Sequence, residues 1–404
     1  IITFLSVYVH VFLLITFFEN RKKIVIRNSE IKLDKYPLVT IIVPCWNEEK
    51  TLYKTVRSLL NLNYPQNKLN IFLIDDGSTD GTWKVIQKFT KYNNIKAFKK
   101  ENGGKHTALN LGLDNLETNF VGCLDADSEA HRESLVRIMS SFEKNPDVMA
   151  VAPSVVVHNP KNIVQNAQKA EYYLSVFLKQ MLGFLGAIHV TPGPLTIFKT
   201  KVFIDLGPYR KAHNTEDMEI AFRMQTNRYK IEHCNDAFVY TNAPHTISKL
   251  FKQRLRWVYG FINNTIDYRK VLFNKKYGNF ALFTLPAGVI SIFAIAYFFS
   301  KIIYNLVDFI LIKISEFNIF GFSYLNPNFK FDTFFINPNS LFFIFLFAYV
   351  SVILSVIFGK RMAEGKWGIS IDLIYLFSVF GFIAPFWLIK AIYNTVFSRS
   401  PDWR

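Results

Sequence analysis

Val121-Gly122-Cys123-Leu124-Asp125-Ala126-Asp127-Ser128 is a short apolar run that ends in two carboxylates one residue apart. Its first half has the composition of a buried strand. Side chains alternate along a strand, so Asp125 and Asp127 are expected to leave its tip on the same side. Two hard oxygen donors at a strand tip suit Mg²⁺ or Mn²⁺, and such an ion suits a diphosphate. A lone Asp-x-Asp is common by chance, so its meaning rests on the surrounding chain.

Upstream, Val39-Thr40-Ile41-Ile42-Val43-Pro44 reads as a buried strand. Asn47-Glu48-Glu49 opens a helix with Leu52, Val56, Leu59 and Leu60 on one face. Ile71-Phe72-Leu73-Ile74 is a second strand, closed by Asp75-Asp76-Gly77-Ser78, and Thr82 to Tyr92 reads as helix. This rhythm argues for a parallel α/β sheet, whose ligands sit beyond the carboxyl ends of the strands. Asp75, Asp76, Asp125 and Asp127 all fall at such ends. Glu101-Asn102-Gly103-Gly104-Lys105-His106 looks like a phosphate loop opening a helix. It is not a P-loop, because Lys99 replaces the first glycine and His106 follows Lys105. Its amides and Lys105 are expected to face a diphosphate, with a solvated turn as the competing reading.

Downstream, Val148 to Val157 reads as a strand. Glu171 to Ala187 is apolar on most sides but broken by Lys179 and two glycines, which suits a helix lying at a membrane interface. Thr191-Pro192-Gly193-Pro194 is a tight turn that a substrate could approach. Thr215-Glu216-Asp217 precedes a helix containing Ile220, Ala221 and Met224. Ile247 to Arg269 is basic and aromatic, and Gln253, Arg256 and Trp257 share one helical face by spacing. Arginines snorkelling to lipid headgroups would also explain that pattern.

The 404 residues are 50% hydrophobic and 16% aromatic, too apolar for an ordinary soluble enzyme. A net charge of +16 suits nucleic acid, an anionic membrane face or a phosphorylated substrate. The long uncharged runs decide for the membrane and against nucleic acid. Cys45, Cys123 and Cys234 are far apart and read as reduced, buried thiols in a domain facing a reducing compartment. Residues 1–19 are expected to form a transmembrane helix ending in the cytoplasm, with a signal-peptide tail as the alternative. The first residue is not Met, so a missing N-terminus is expected. Residues 20–37 read as a basic linker and 38–272 as a cytoplasmic catalytic domain ending in interfacial helices. Residues 277–397 read as a transmembrane region. Tyr277 to Ser300, Leu341 to Phe358 and Leu373 to Ile389 are each long enough to span. Ile302 to Ile314, interrupted by Asp308 and Lys313, is either a fourth span or an interfacial continuation. The loop from Gly359-Lys360-Arg361 to Lys366 is expected inside and Ser315 to Ser340 outside. The side taken by the 398–404 tail depends on that count.

Taken in order, these motifs resemble membrane-embedded family 2 glycosyltransferases, above all the processive synthases of cellulose, chitin, hyaluronan and poly-N-acetylglucosamine. The likeness spans residues 38–270. It rests on Asp75/Asp76, Asp125-Ala126-Asp127, Thr215-Glu216-Asp217 and Gln253-Arg254-Leu255-Arg256-Trp257. The tail Ser398-Arg399-Ser400-Pro401-Asp402-Trp403-Arg404 resembles that of poly-N-acetylglucosamine synthases.

The resemblance implies an α/β, GT-A-type (Rossmann-like) catalytic domain with interfacial amphipathic helices and a transmembrane bundle. It implies that Pro44, Asn47, Glu48 and one of Asp75 or Asp76 line a uridine pocket, and that Lys105 meets the diphosphate. Asp125 and Asp127 would hold the nucleotide through Mg²⁺ or Mn²⁺, with Asp127 the direct ligand. Asp217 would be the catalytic base and Glu216 its neighbour at the acceptor. Gln253, Arg256 and Trp257 would close over the diphosphate and the acceptor sugar.

The implied reaction is inverting transfer from a UDP-sugar, preferably UDP-N-acetylglucosamine, to a growing β-linked polysaccharide at the cell membrane. Membrane lipids and accessory or export subunits are the implied partners. One base and a leaving group stabilised by cations suffice for that chemistry. The base must stay ionised, which Arg256 and a metal would favour. Competing readings are a single-sugar transferase acting on a lipid carrier, a dehalogenase-like phosphohydrolase and a basic membrane scaffold. The phosphohydrolase is disfavoured because two strands with their own motifs precede Asp125.

Overall fold

The computed structural model describes residues 2–24, 31–320 and 340–401. Among them, eight strands form one sheet: β1 (Val39–Cys45), β2 (Leu69–Asp76), β3 (Ile95–Lys100), β4 (Phe120–Cys123), β5 (Ser128–Ala130), β6 (Val148–Val157), β7 (Ile197–Lys199) and β8 (Lys230–Thr241). Their order is β3-β2-β1-β4-β7-β6-β8-β5. The helices of the catalytic part are α2 (Leu52–Leu60), α3 (Thr82–Gln87), α4 (Lys105–Asp114), α5 (Ser134–Lys144), α6 (Ile163–Phe184), α7 (Lys201–Leu206), α8 (Glu216–Thr226) and α9 (Ile247–Asp267). They are preceded by α1 (Ile2–Asn20) and followed by α10 (Leu285–Phe320), α11 (Ser340–Glu364) and α12 (Asp372–Val396).

β1 is apolar at nearly every position because it is covered on both faces. Ile41 and Val43 pack with Leu52, Val56 and Leu59 of α2 on one side. Ile42 packs on the other side, in a core that also holds Phe177 of α6 and Phe222 of α8. That second core includes Leu13 of α1, Leu285 of α10 and Phe358 of α11, so the catalytic part and the apolar helices share an interior.

β1 to β4 are parallel, as the strand–helix rhythm predicts. The sheet as a whole is mixed, not parallel. β7 runs antiparallel to both β4 and β6, and the chain reaches it from β6 through α6 and the 185–196 segment. Two helix boundaries also differ from expectation. α2 starts at Leu52, since Asn47 adopts φ 55° and its Oδ1 accepts from Thr79 N at 2.9 Å, tying the β1 and β2 loops together. α3 stops at Gln87, and turns carry the buried Phe89.

Among the described residues, three segments are long and apolar enough to cross a membrane: Phe280–Ile319, Leu346–Glu364 and Asp372–Val396. Ile302 to Ile314 is the middle of α10 and not a separate span. Lys313 is accommodated there by an ion pair with Glu316 at 2.7 Å, and Ile302, Tyr304, Phe309 and Ile312 are exposed around the helix, as on a lipid-facing surface. Gly359-Lys360-Arg361 belongs to α11 and not to a loop. Residues 25–30 of the basic linker, 321–339 of the segment expected outside, and 402–404 of the tail lie outside the described residues. The three cysteines are buried and free, as read from their spacing.

Candidate active site

β4 ends at Cys123, and Asp125 and Asp127 stand on the turn that leads into β5. Leu124 N still donates to Ile42 O at 2.9 Å, while Asp125 O accepts from Ser128 N at 3.0 Å. The turn, not strand alternation, therefore sets the directions of the two carboxylates.

Lys105 joins this turn to a motif almost a hundred residues away. Its Nζ lies 2.7 Å from Asp125 Oδ1 and 3.2 Å from Glu216 Oε1. Burial works against its charge, yet Asp125 and Glu216 outweigh burial and hold it well above the ordinary lysine range. Gly193 lies against this bridge. A Cβ at that position would be 2.7 Å from Lys105 Nζ and 2.9 Å from each Asp125 carboxylate oxygen. The loop that carries Gly193 is tied at both ends. Thr191 donates to Asp217 O from its N–H at 3.1 Å and from its hydroxyl at 2.8 Å, and Leu195 N donates to Cys123 O at 2.6 Å. Lys105, Cys123, Thr191, Gly193, Glu216 and Asp217 thus line one small cavity.

Asp217 sits in the first turn of α8. Burial and then Glu216 push its carboxyl up to about 6, against Lys105 and Arg256. Arg256 favours the ionised form, as expected, but burial outweighs it. Asp127 is likewise pushed up to about 6, by burial, then Asp125, then Glu48, while a 3.2 Å hydrogen bond from Ser128 opposes the shift. Asp127 thus feels the charges of Asp125 and Glu48, which favours a cation beside it. Among the described residues no group of three or more acidic, histidine or cysteine side chains is placed to hold a metal ion. Asp125 and Asp127 are two hard oxygen donors, so an ion held there would need further ligands from outside the protein.

At the end of β2, the structure separates the two neighbouring acids. Asp76 is fully used: it accepts from Lys100 Nζ at 2.6 Å, Gly103 N at 3.1 Å and Gly104 N at 2.9 Å. The amides expected to face a diphosphate are thus satisfied by the protein's own carboxylate, which is why the loop resembles a phosphate loop. Asp75 accepts from Ser78 N at 3.0 Å through Oδ1, and its buried Oδ2 has no partner among the described residues. Pro44 pairs with Ile74 in the sheet. Glu48 follows Asn47 in the same loop, and its N–H donates to Thr82 Oγ1 at 2.8 Å.

α9 presents Gln253, Arg256 and Trp257 as spaced. The residue missed from the sequence is Arg254, which is buried. It pairs with Glu171 of α6, donates to Gln253 Oε1 at 2.8 Å and lies 4.0 Å over the Trp257 ring. Its i, i+3 relation to Trp257 was the available signal. α9 also grips the approach to Asp217. Ala212, His213 and Asn214 are left-handed in succession, with φ 40°, 54° and 61°. Arg256 donates to Asn214 O at 3.3 Å, His213 meets Asp267 at 2.8 Å, and Asn264 donates to Thr215 Oγ1 at 2.9 Å.

A mixed sheet with acids gathered at its strand ends and long apolar helices sharing its core is the architecture of a GT-A-type glycosyltransferase. Comparison with known proteins agrees. The profile of glycosyl transferase family 2 matches residues 40–207. The chain is 30% identical to poly-beta-1,6-N-acetyl-D-glucosamine synthase of Staphylococcus epidermidis over 291 residues, 70% of each chain. It is 30% identical to the synthase of that name from Staphylococcus aureus (strain COL) over 236 residues, 58% of this chain and 57% of that one. The chain belongs to glycosyltransferase family 2. Its fold is similar to the mannosyltransferase PcManGT from Pyrobaculum calidifontis, solved with GDP-Man and Mn²⁺, with a TM-score of 0.58 at 15% identity over 99% of this chain and 100% of that one.

Proposed function

We propose that the enzyme transfers N-acetylglucosamine from UDP-N-acetylglucosamine to the end of a growing β-linked polysaccharide, with inversion, at the cytoplasmic face of a membrane. The observation that carries this reading is the Lys105 bridge, which sets Asp125 beside Glu216 and Asp217. Similarity to poly-beta-1,6-N-acetyl-D-glucosamine synthases supports the choice of sugar.

Asp217 takes the proton of the acceptor hydroxyl as its oxygen attacks the anomeric carbon in line. UDP departs from the opposite face, so an α-linked donor yields a β-linkage. Lys105 supplies positive charge where the diphosphate accumulates negative charge. Asp127 and Asp125 would hold Mg²⁺ or Mn²⁺, which when bound neutralises the departing diphosphate. Asp75 Oδ2 accepts from the uracil ring, and Pro44, Asn47 and Glu48 line its pocket. Gln253, Arg256 and Trp257 close over diphosphate and acceptor, the indole offering an apolar plate to a pyranose face. α1, α10, α11 and α12 span the bilayer, with Lys360, Arg361 and Lys366 on the cytoplasmic side.

The test is radiolabel incorporation from a panel of UDP-sugars in membranes holding the full chain. A polymer ladder sensitive to a β-N-acetylglucosamine-specific glycosidase is the expected product. A single organic-soluble product would replace the polymer assignment with transfer to a lipid carrier. Asp217→Asn abolishes transfer while UDP still binds, whereas Asp127→Asn weakens metal-dependent UDP binding. Undiminished transfer by Asp217→Asn would remove the base from its role.

A further inference from the structure

Arg254 is the one charged side chain of the closing motif that the chemistry above does not use. Its side chain is buried between α9 and α6, where it pairs with the partly exposed Glu171, 83 residues earlier in the chain. Its Nη1 donates to Gln253 Oε1 at 2.8 Å. Its guanidinium also lies 4.0 Å over the Trp257 ring and 5.9 Å from the ring of Phe380 in α12. A guanidinium carries donors only, so the Gln253 atom that meets it has to be the carbonyl oxygen. The amide nitrogen of Gln253 is thereby turned away from Arg254, and it has no partner among the described residues. The guanidinium likewise covers one face of the indole. Trp257 is only partly buried, which leaves its other face for a ligand.

A buried ion pair adds little stability over an apolar pair of similar size, but it fixes the geometry of the groups it joins. We infer that Arg254 and Glu171 are positioning residues for the acceptor sugar. Arg254 holds Gln253 as a hydrogen-bond donor to an oxygen of that sugar and backs Trp257, whose free face meets the ring. Glu171 holds Arg254 in the place where it can do both. This rests on the function proposed above, which assigns Gln253 and Trp257 to the closing face, and it adds the reason they are presented as they are. Neither partner of Arg254 can be replaced by a point charge alone. The planar fork spans Glu171 and Gln253 while its face lies on the indole, whereas a lysine ammonium has no plane to stack.

The test uses the purified full chain in detergent with saturating UDP-N-acetylglucosamine. A β-1,6-linked N-acetylglucosamine pentasaccharide is titrated as acceptor, and UDP dissociation and melting temperature are measured alongside. Glu171→Gln and Arg254→Lys should each raise the acceptor KM about tenfold, with UDP dissociation changed by less than about twofold. Gln253→Glu keeps an oxygen for Arg254 and removes the donor, so it should raise the acceptor KM by a similar factor. Because Glu171 acts through Arg254, adding Glu171→Gln to Gln253→Glu should cost less than about twofold more. A pair that merely stabilises the fold would lower the melting temperature and kcat and leave the acceptor KM where it is. That outcome overturns the positioning role and leaves the proposed function intact. Weakened UDP binding at an unchanged acceptor KM would assign the Gln253 donor to the diphosphate and overturn its assignment to the sugar. A wild-type chain that elongates no pentasaccharide from any UDP-sugar overturns the function, and the inference with it. Should Glu171→Gln melt early, Arg254→Lys and Gln253→Glu carry the test, since Lys keeps the charge and Glu the shape.

Discussion

Asp217 can act as a base only while ionised, and its surroundings work against ionisation. Burial first, then Glu216, lift its carboxyl to about 6. A carboxyl lifted in this way gains its proton as pH falls through that value, well above the ordinary aspartate range near 4. kcat should therefore drop about tenfold per unit below pH 6, measured as polymer formed at saturating donor. An acid limb near pH 4 would show that the base is exposed or is another group. Gly193 offers a second test. Its missing side chain leaves room for the Lys105–Asp125 pair, and Gly193→Ala would set a methyl within 2.9 Å of both partners. The pair must separate or the loop must lift, so kcat/KM should fall about tenfold or more while the melting temperature moves little. Assays at several donor concentrations would locate the loss.

Among the elements, α9 ties the closing face to α6 and to the turn ahead of Asp217. It carries three residues expected at the closing face, and through Arg254, Gly260 and Asn264 it also holds α6 and Thr215. A Cβ on Gly260 would meet Thr215 Oγ1 and Cγ2 at 2.3 Å. Gly260→Ala should cost about 1–3 kcal/mol by overpacking, read by denaturant titration, and should depress transfer by shifting the turn ahead of Asp217. Arg254→Met should cost about 1.5–3 kcal/mol, because it removes charge-assisted hydrogen bonds to Glu171 and Gln253. The motif residues of α9 were legible because their spacing follows the helical period. Gly260 and Asn264 were not, since their significance lies in the close approach of Thr215, some fifty residues earlier in the chain. The same contrast holds at Asp75 and Asp76. Both are acidic and both end β2, and only the fold shows that one carboxylate is consumed by Lys100 and two glycine amides.

At the scale of the whole molecule, α6 is the seam between catalytic part and apolar helices, packing against β6, β8, α11 and α12. At Gly359 of α11 a Cβ would lie 1.9 Å from the Tyr173 carbonyl oxygen. Since that neighbour is backbone, no rotamer can relieve the contact. Gly359→Val should lower the detergent-solubilised melting temperature and reduce transfer together, as α11 is forced off α6. Loss of neither would mean that the two parts work independently.

The amino-acid order by itself determined the sugar-transferase class, the parallel β1–β4 core and the apolar C-terminal segments. Those features are written in local periodicity and in short motifs of fixed chemistry. Only the tertiary structure decided that β7 enters antiparallel, that Asp76 is spent on its own loop, that burial lifts Asp217, and that Arg254 braces Gln253 and Trp257. Each of these depends on which distant groups share a buried space, and desolvation and steric exclusion are properties of that shared space.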